Sequence, residues 1–262
     1  MKRDILVALY SEDTYVLNWM SLLVVRDWRT RVVTEATTRN ELFQSLSQEN
    51  FNVDLMVIDV DSVSDLKQIA LDVESYRQLS ANDIKVIALC EKPNPDFFRY
   101  FPPESIAGVL FKQEIMMSLG WAITFSAEDK QVFTPKGIEC SWNSNFPIED
   151  DRLVLYARKY PGLTERQSEI ARLAIIFSIG RRDLADELKI SDQWSYGVVS
   201  ELYDHLGLSE LLDESEQFNS ILENDKVIKG HIDEILEDLG TSKKARDLET
   251  LAFHLLTMPV IE

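Results

Sequence analysis

The side chains best placed for chemistry are carboxylates. Asp59 and Asp61 stand two apart in Asp59-Val-Asp-Ser-Val63, directly after the near-continuous apolar run Val53-Asp-Leu-Met-Val-Ile58. Asp59 can be a strand-end carboxylate neutralised by a lysine. Lys112 closes another apolar run, Gly108-Val-Leu-Phe111, and Cys90 closes a third, Ile84 to Leu89. Other reactive groups are sparse. Cys90 and Cys140 lack Cys-x-x-Cys spacing and read as a buried small hydrophobe and a linker residue. His205, His231 and His254 fall at helical positions without metal-ligand spacing. The expectation is a protein with no metal, no cofactor and no enzymatic activity.

Three elements must place Asp59, Cys90 and Lys112 together. Short apolar runs alternate with amphipathic ones over the first 115 residues. Strands are predicted at Ile5–Leu9, Arg31–Ala36, Val53–Ile58, Ile84–Leu89 and Gly108–Phe111. Helices are predicted over 15–25, 39–48, 64–78 and from 112 to about 126. Continuous apolar strands alternating with helices imply a parallel sheet covered on both faces, with its functional crevice at the carboxyl ends of the strands.

Residues 128–160, with Pro135, Gly137, Pro147 and Glu149-Asp-Asp151, read as a linker, within which 152–159 could form one helix. Beyond Pro161 everything reads as helical. Thr164 is an N-cap with Gln167 completing a capping box. Gly180 ends that helix. Arg181–Leu188 is a second, and Ser191 caps a third that runs to about Leu206. Three further helices are predicted at 210–228, 230–239 and 243–257, divided by Gly230 and Gly240.

Composition limits the partners. There are 27 Lys plus Arg against 45 Asp plus Glu, a net charge of −18. Such a chain is a poor general binder of polyanions, so any nucleic-acid contact needs a locally basic face. Residues 1–150 carry 14 basic and 23 acidic residues, 151–208 carry 8 and 9, and 209–262 carry 5 and 13. No stretch approaches ~18 apolar residues, so no membrane span is expected. Met1-Lys-Arg-Asp4 runs straight into a strand, which reads as a domain edge rather than a signal peptide. A reducing cytoplasm is the expected setting.

Residues 163–208 resemble the helix-turn-helix of NarL/LuxR-type response regulators. Leu163, Thr164 and Arg166 match its opening. Asp183-Leu-Ala185, Leu188, Ile190 and Ser191 match its scaffold helix, and Leu206-Gly-Leu208 its close. The first 125 residues resemble the receiver domain of the same family. Asp54-Leu-Met-Val-Ile-Asp59 lines up with the phosphoacceptor strand, and Lys112 with the family's lysine. The resemblance implies a flavodoxin-like, five-stranded parallel receiver (1–127), a linker (128–160) and an all-α helix-turn-helix domain (161–208). An acidic helical extension (209–262) is expected to pack on the last, with a partner or dimer surface as the other reading of its apolar faces.

Departures from the family shape the functional expectation. The acid pair that holds Mg²⁺ in a receiver aligns with Leu9 and Tyr10; Glu12 and Asp13 could substitute only with a loop shift. The family's hydroxyl residue after the fourth strand is Cys90, whose thiol is a weak donor. Without a metal, phosphoryl transfer to a carboxylate loses its main electrostatic support. The recognition helix is altered too. Ser191-Asp-Gln-Trp-Ser-Tyr-Gly-Val198 carries Trp194, Ser195, Tyr196 and Val198 where the family has threonine, valine, lysine and histidine.

Arg181, Arg182 and Lys189 could touch a nucleic-acid backbone. Gln193, Trp194, Tyr196, Gly197 and Ser200 form the stripe that meets DNA in the family, and here they could meet a protein instead; Trp194 could also turn inward. The leading expectation is an atypical, phosphorylation-independent response regulator acting in transcription through DNA or the transcription machinery. The other is a non-DNA-binding scaffold derived from one. Apolar Ile115, Met116, Met117, Leu119 and Trp121 suggest a homodimer. Asp59-Val-Asp-Ser-Val63 also resembles the opening motif of haloacid-dehalogenase phosphatases. No Gly-Asp-x-x-x-Asp follows, and two strands precede it instead of none.

Overall fold

The computed structural model describes residues 4–48, 51–79, 83–158, 163–208, 226–239 and 245–262. They form two compact units. One comprises residues up to Val25, Arg29–Ala157 and Pro259–Glu262; the other comprises Arg26–Trp28 and residues 158–258.

The α/β unit is built on β1 (Ile5–Tyr10), β2 (Thr30–Ala36), β3 (Leu55–Asp59), β4 (Lys85–Cys90) and β5 (Ile106–Phe111). Between and after them come α1 (Thr14–Arg26), α2 (Arg39–Leu46), α3 (Leu66–Leu79), α4 (Pro95–Tyr100), the single turn α5 (Lys112–Ile115) and α6 (Leu119–Ala127). Strand order over this part is β2-β1-β3-β4-β5, all parallel. That is the flavodoxin-like doubly wound order, whose switch point lies between β1 and β3. Every residue of β3 and β5 is buried, which is why their sequences run apolar without alternation. Thr38 starts α2 with a capping box closed by Glu41.

The five expected strands are present, but among the described residues the sheet has eight. Residues 128–157 are not a linker. They form β6 (Val132–Phe133), α7 (Pro135–Asn143) and β7 (Leu153–Tyr156), and β6 and β7 continue the parallel sheet beyond β5. Two glycines permit this. A Cβ on Gly108 would lie 2.1 Å from the Val132 carbonyl oxygen, and one on Gly137 would lie 2.0 Å from that of Val109. The 152–159 helix is therefore a strand, because Leu153–Tyr156 has sheet partners on both sides. Its outer neighbour is β8 (Val260–Ile261), antiparallel to it, so the final residues belong to this sheet and not to a helical extension. The helix predicted from 112 to 126 is broken at Met116 (φ 44°), and α6 starts afresh at Leu119.

The helical unit contains α8 (Glu165–Ala171), which continues as a π turn over Arg172–Ile176, then α9 (Arg181–Leu188) and α10 (Asp192–His205). Thr164 and Gln167 make the expected capping box, and the Ser191 side chain accepts from the Trp194 N–H. The first helix ends before Gly180, at Phe177 and the left-handed Ser178 (φ 52°). Lys189 is also left-handed (φ 56°), which makes the tight turn between α9 and α10. Ile170, Ala174, Leu184, Leu188, Val199 and Leu202 form the core.

The helix predicted at 210–228 lies, up to residue 225, outside the described residues, as do residues 240–244; α11 (Lys226–Leu239) and α12 (Ala245–Thr257) are the helices described in this region. Gly230 does not separate a helix ending at 228 from one starting at 230; it sits inside α11, whose stripe Ile228, Ile232 and Ile235 is buried. Packing of that stripe outweighs the ~1 kcal/mol that a helical glycine costs. Within this unit His254 is fully buried, and its Nε2 accepts the Trp28 N–H at 3.2 Å. Among the described residues no helix is long and apolar enough to cross a membrane.

Candidate functional site

The carboxyl ends of β1, β3, β4 and β5 bring Ser11, Asp59, Cys90 and Lys112 to one crevice, as the strand order requires. Asp59 is the last residue of β3 and fully buried. Lys112 Nζ lies 2.6 Å from its Oδ1. The Ser11 hydroxyl donates to its Oδ2 at 2.8 Å. Oδ2 thus accepts a hydrogen bond, while Oδ1 is ion-paired with Lys112 without a hydrogen bond of good geometry. Ser62 closes the loop behind it. Its hydroxyl donates to the Asp59 carbonyl at 3.0 Å and accepts the Glu12 N–H at 3.0 Å.

The two acids that could have replaced a metal-holding pair are committed elsewhere. Asp13 caps α1, accepting the Tyr15 and Val16 N–H groups at 2.8 and 3.3 Å. The Glu12 carboxylate accepts from the Tyr10 hydroxyl at 3.0 Å and from both the Ser64 N–H and hydroxyl. Burial, together with that Glu12 contact, pushes the Tyr10 phenol well above its ordinary pKa. Leu9 is fully buried in β1. Asp61 accepts the Glu91 N–H and lies 3.6 Å from Lys112 Nζ. A Mg²⁺ ion needs an octahedral set of hard oxygens. Here Asp59 is already ion-paired, Asp13 is taken up in capping α1, and Leu9 and the protonated Tyr10 end β1. The donor set does not fit the ion. Among the described residues no group of three His, Cys, Asp or Glu side chains is arranged to hold a metal.

Cys90 is buried beside this crevice. Burial first, and then the charge of Asp61, raise its thiol well above the ordinary range. Cys140 is raised as well, chiefly by burial. It lies in the α/β core on α7 rather than in a linker.

A second candidate surface is the outer side of α10. Ser195, Val198, Val199 and Leu202 face inward. Gln193, Gly197 and Ser200 are exposed, as are Trp194 (55%) and Tyr196 (63%). Trp194 does not turn inward, because Ser195 takes the core position and donates to the Asp192 carbonyl at 2.7 Å. Arg182 and Lys189 are exposed, whereas Arg181 is half-buried with its guanidinium 6.0 Å from the Tyr196 ring centre. The apolar residues that suggested a homodimer are mostly covered: Ile115, Leu119 and Trp121 are buried within the single chain, and only Met116 is well exposed.

Sequence reasoning missed Ser11 and Ser62. The available signal was their position: Ser11 directly follows β1, and Ser62 stands three residues after Asp59.

No family model matches the chain. No curated protein matches it either. Solved structures do align. One describes two RcsB dimers bound to two parallel DNAs, at 16% identity and a TM-score of 0.44, covering 76% of this chain and 90% of that one. The RcsB response regulator of Salmonella typhimurium aligns at 18% identity and a TM-score of 0.42, covering 78% and 93%. The response regulator ChrA of a heme-sensing two-component system aligns at 18% and 0.39, covering 78% and 90%. The likeness is one of fold; the chemistry of the crevice is set by the chain's own side chains.

Proposed function

We propose that the chain is an atypical response-regulator-type protein acting in transcriptional regulation, and that its α/β unit works without phosphorylation of Asp59. It is a regulator rather than an enzyme, in a cytoplasmic setting. One observation carries the reading: Asp59 is buried with Lys112 on one oxygen and Ser11 on the other, and the nearby Glu12, Asp13 and Asp61 carboxylates are engaged by backbone N–H and hydroxyl groups. A nucleophilic carboxylate needs a free oxygen and a cation to gather the phosphoryl charge. Here the lysine neutralises the carboxylate charge at one oxygen and the serine donates to the other. The helical unit is the output module, with Arg182 and Lys189 as its exposed cations near α10. A homodimer belongs to the same reading, built on surfaces other than Ile115, Leu119 and Trp121.

The second reading, a non-DNA-binding scaffold, is favoured by the exposed Trp194 and Tyr196 of α10, a helix that itself carries no Lys or Arg. Selection from mixed genomic DNA fragments at two salt concentrations, with and without acetyl phosphate, tests both. Salt-dependent enrichment that acetyl phosphate leaves unchanged and Arg182→Ala weakens supports the regulator. Enrichment that rises with acetyl phosphate, but not in Asp59→Asn, refutes phosphorylation independence. No enrichment at low salt moves the assignment to the scaffold.

A further inference from the structure

We infer that the outward face of α10 is a docking surface for a basic segment of another protein. The inference rests on the helical unit being the output module and names what that module meets.

Three independent features of this face point the same way. First, Trp194 and Tyr196 hold more than half of their surface in solvent on a helix whose inward positions are filled by Ser195, Val198, Val199 and Leu202. Large aromatics are the residues on which protein-binding energy concentrates.

Second, Gly197 stands in mid-helix, where glycine costs ~1 kcal/mol relative to alanine. Nothing in the chain asks for it: no atom lies within 4 Å of where its Cβ would be. Helical spacing sets it between Gln193 and Trp194 on one side and Ser200 and Glu201 on the other. The missing side chain leaves the helix backbone there open to solvent and to a partner.

Third, α10 carries no Lys or Arg, while Asp192 and Glu201 border the stripe. A DNA phosphate brought to this face meets like charge and releases no counterions. A lysine or arginine meets the reverse. Its cation can sit over an indole or phenol ring and reach a carboxylate beside it. The chain already makes one such contact internally, with Arg181 6.0 Å from the Tyr196 ring centre.

The test uses the full chain labelled with 5-fluorotryptophan. Its five tryptophans give separate ¹⁹F signals, and Trp194→Phe assigns the one from α10. The probes are an amphipathic lysine–leucine peptide, its glutamate–leucine counterpart and a mixed-sequence DNA duplex. A net charge of −18 draws any polycation loosely, so the criterion is local. The lysine peptide alone should move the Trp194 signal. Tyr196→Ala should weaken that binding by about 30-fold, equivalent to ~2 kcal/mol. Gly197→Ala, which favours the helix, should also weaken it by placing a methyl group between the partner and the exposed backbone. Lysine-peptide binding that all variants share overturns the inference. So does a Trp194 signal moved by the duplex, and that outcome leaves the proposed regulatory role standing with DNA as its partner.

Discussion

Replacing Lys112 by methionine strips the buried Asp59 carboxylate of its counter-ion while keeping an unbranched side chain of similar length. At 2.6 Å, and with an effective dielectric of ~20, the direct attraction is about 6 kcal/mol. Desolvating the two charges offsets part of it. Lys112 keeps 16% of its side chain in solvent, so the variant should sit at the lower end of the loss for a broken buried pair, about 3 kcal/mol. Asp59→Asn should cost only about 1 kcal/mol. Ser11 can still donate to the amide oxygen, and Lys112 still has Asp61 at 3.6 Å. The double variant should recover much of the methionine loss, with a coupling of about 2 kcal/mol. Urea unfolding followed by circular dichroism measures all four proteins, provided that the slope stays constant. A Lys112→Met protein within about 0.5 kcal/mol of the parent, or strictly additive single losses, would refute the latched pair.

Gly108→Ala and Gly137→Ala should each lower stability by about 3 kcal/mol in the same assay, because the new methyl meets a carbonyl oxygen near 2 Å. Ser191→Ala should cost about 1 kcal/mol by removing the side-chain cap on Trp194 N–H; an unchanged midpoint would show that the cap is idle. Cys90 and Cys140 are both pushed toward the thiol form by burial, so iodoacetamide at pH 8 should label neither until urea unfolds the chain. Labelling of Cys90 at the rate of a free thiol in the native protein would contradict that placement.

The parts of the fold that carry strong local signals were legible in the sequence. The runs of β1, β3, β4 and β5 are apolar without alternation because helices or loops cover both sheet faces, and Thr164, Gln167 and Ser191 announce helix starts through their own side chains. The sheet extension was not legible. Strands of two residues, Val132–Phe133 and Val260–Ile261, have no period, and β7 is too short to tell from a helical turn. Their cause is long-range: Gly108 and Gly137 remove side chains where two backbones meet. Asp59 and Lys112 could be paired from the sequence because both end strands of one parallel sheet. The role of Ser11 could not, since a hydroxyl after β1 gains its meaning only from the carboxylate 2.8 Å away. The helix face at Trp194 depended on which neighbour filled the core, and Ser195 did.

The claim that matters most is that Asp59 is a fixed structural carboxylate and not a phosphoacceptor. Intact mass spectrometry of the full chain after incubation with acetyl phosphate and Mg²⁺ tests it directly. The latched pair predicts a single unmodified species at every time point. A stoichiometric, Mg²⁺-dependent adduct of one phosphoryl group, lost in Asp59→Asn, would contradict it.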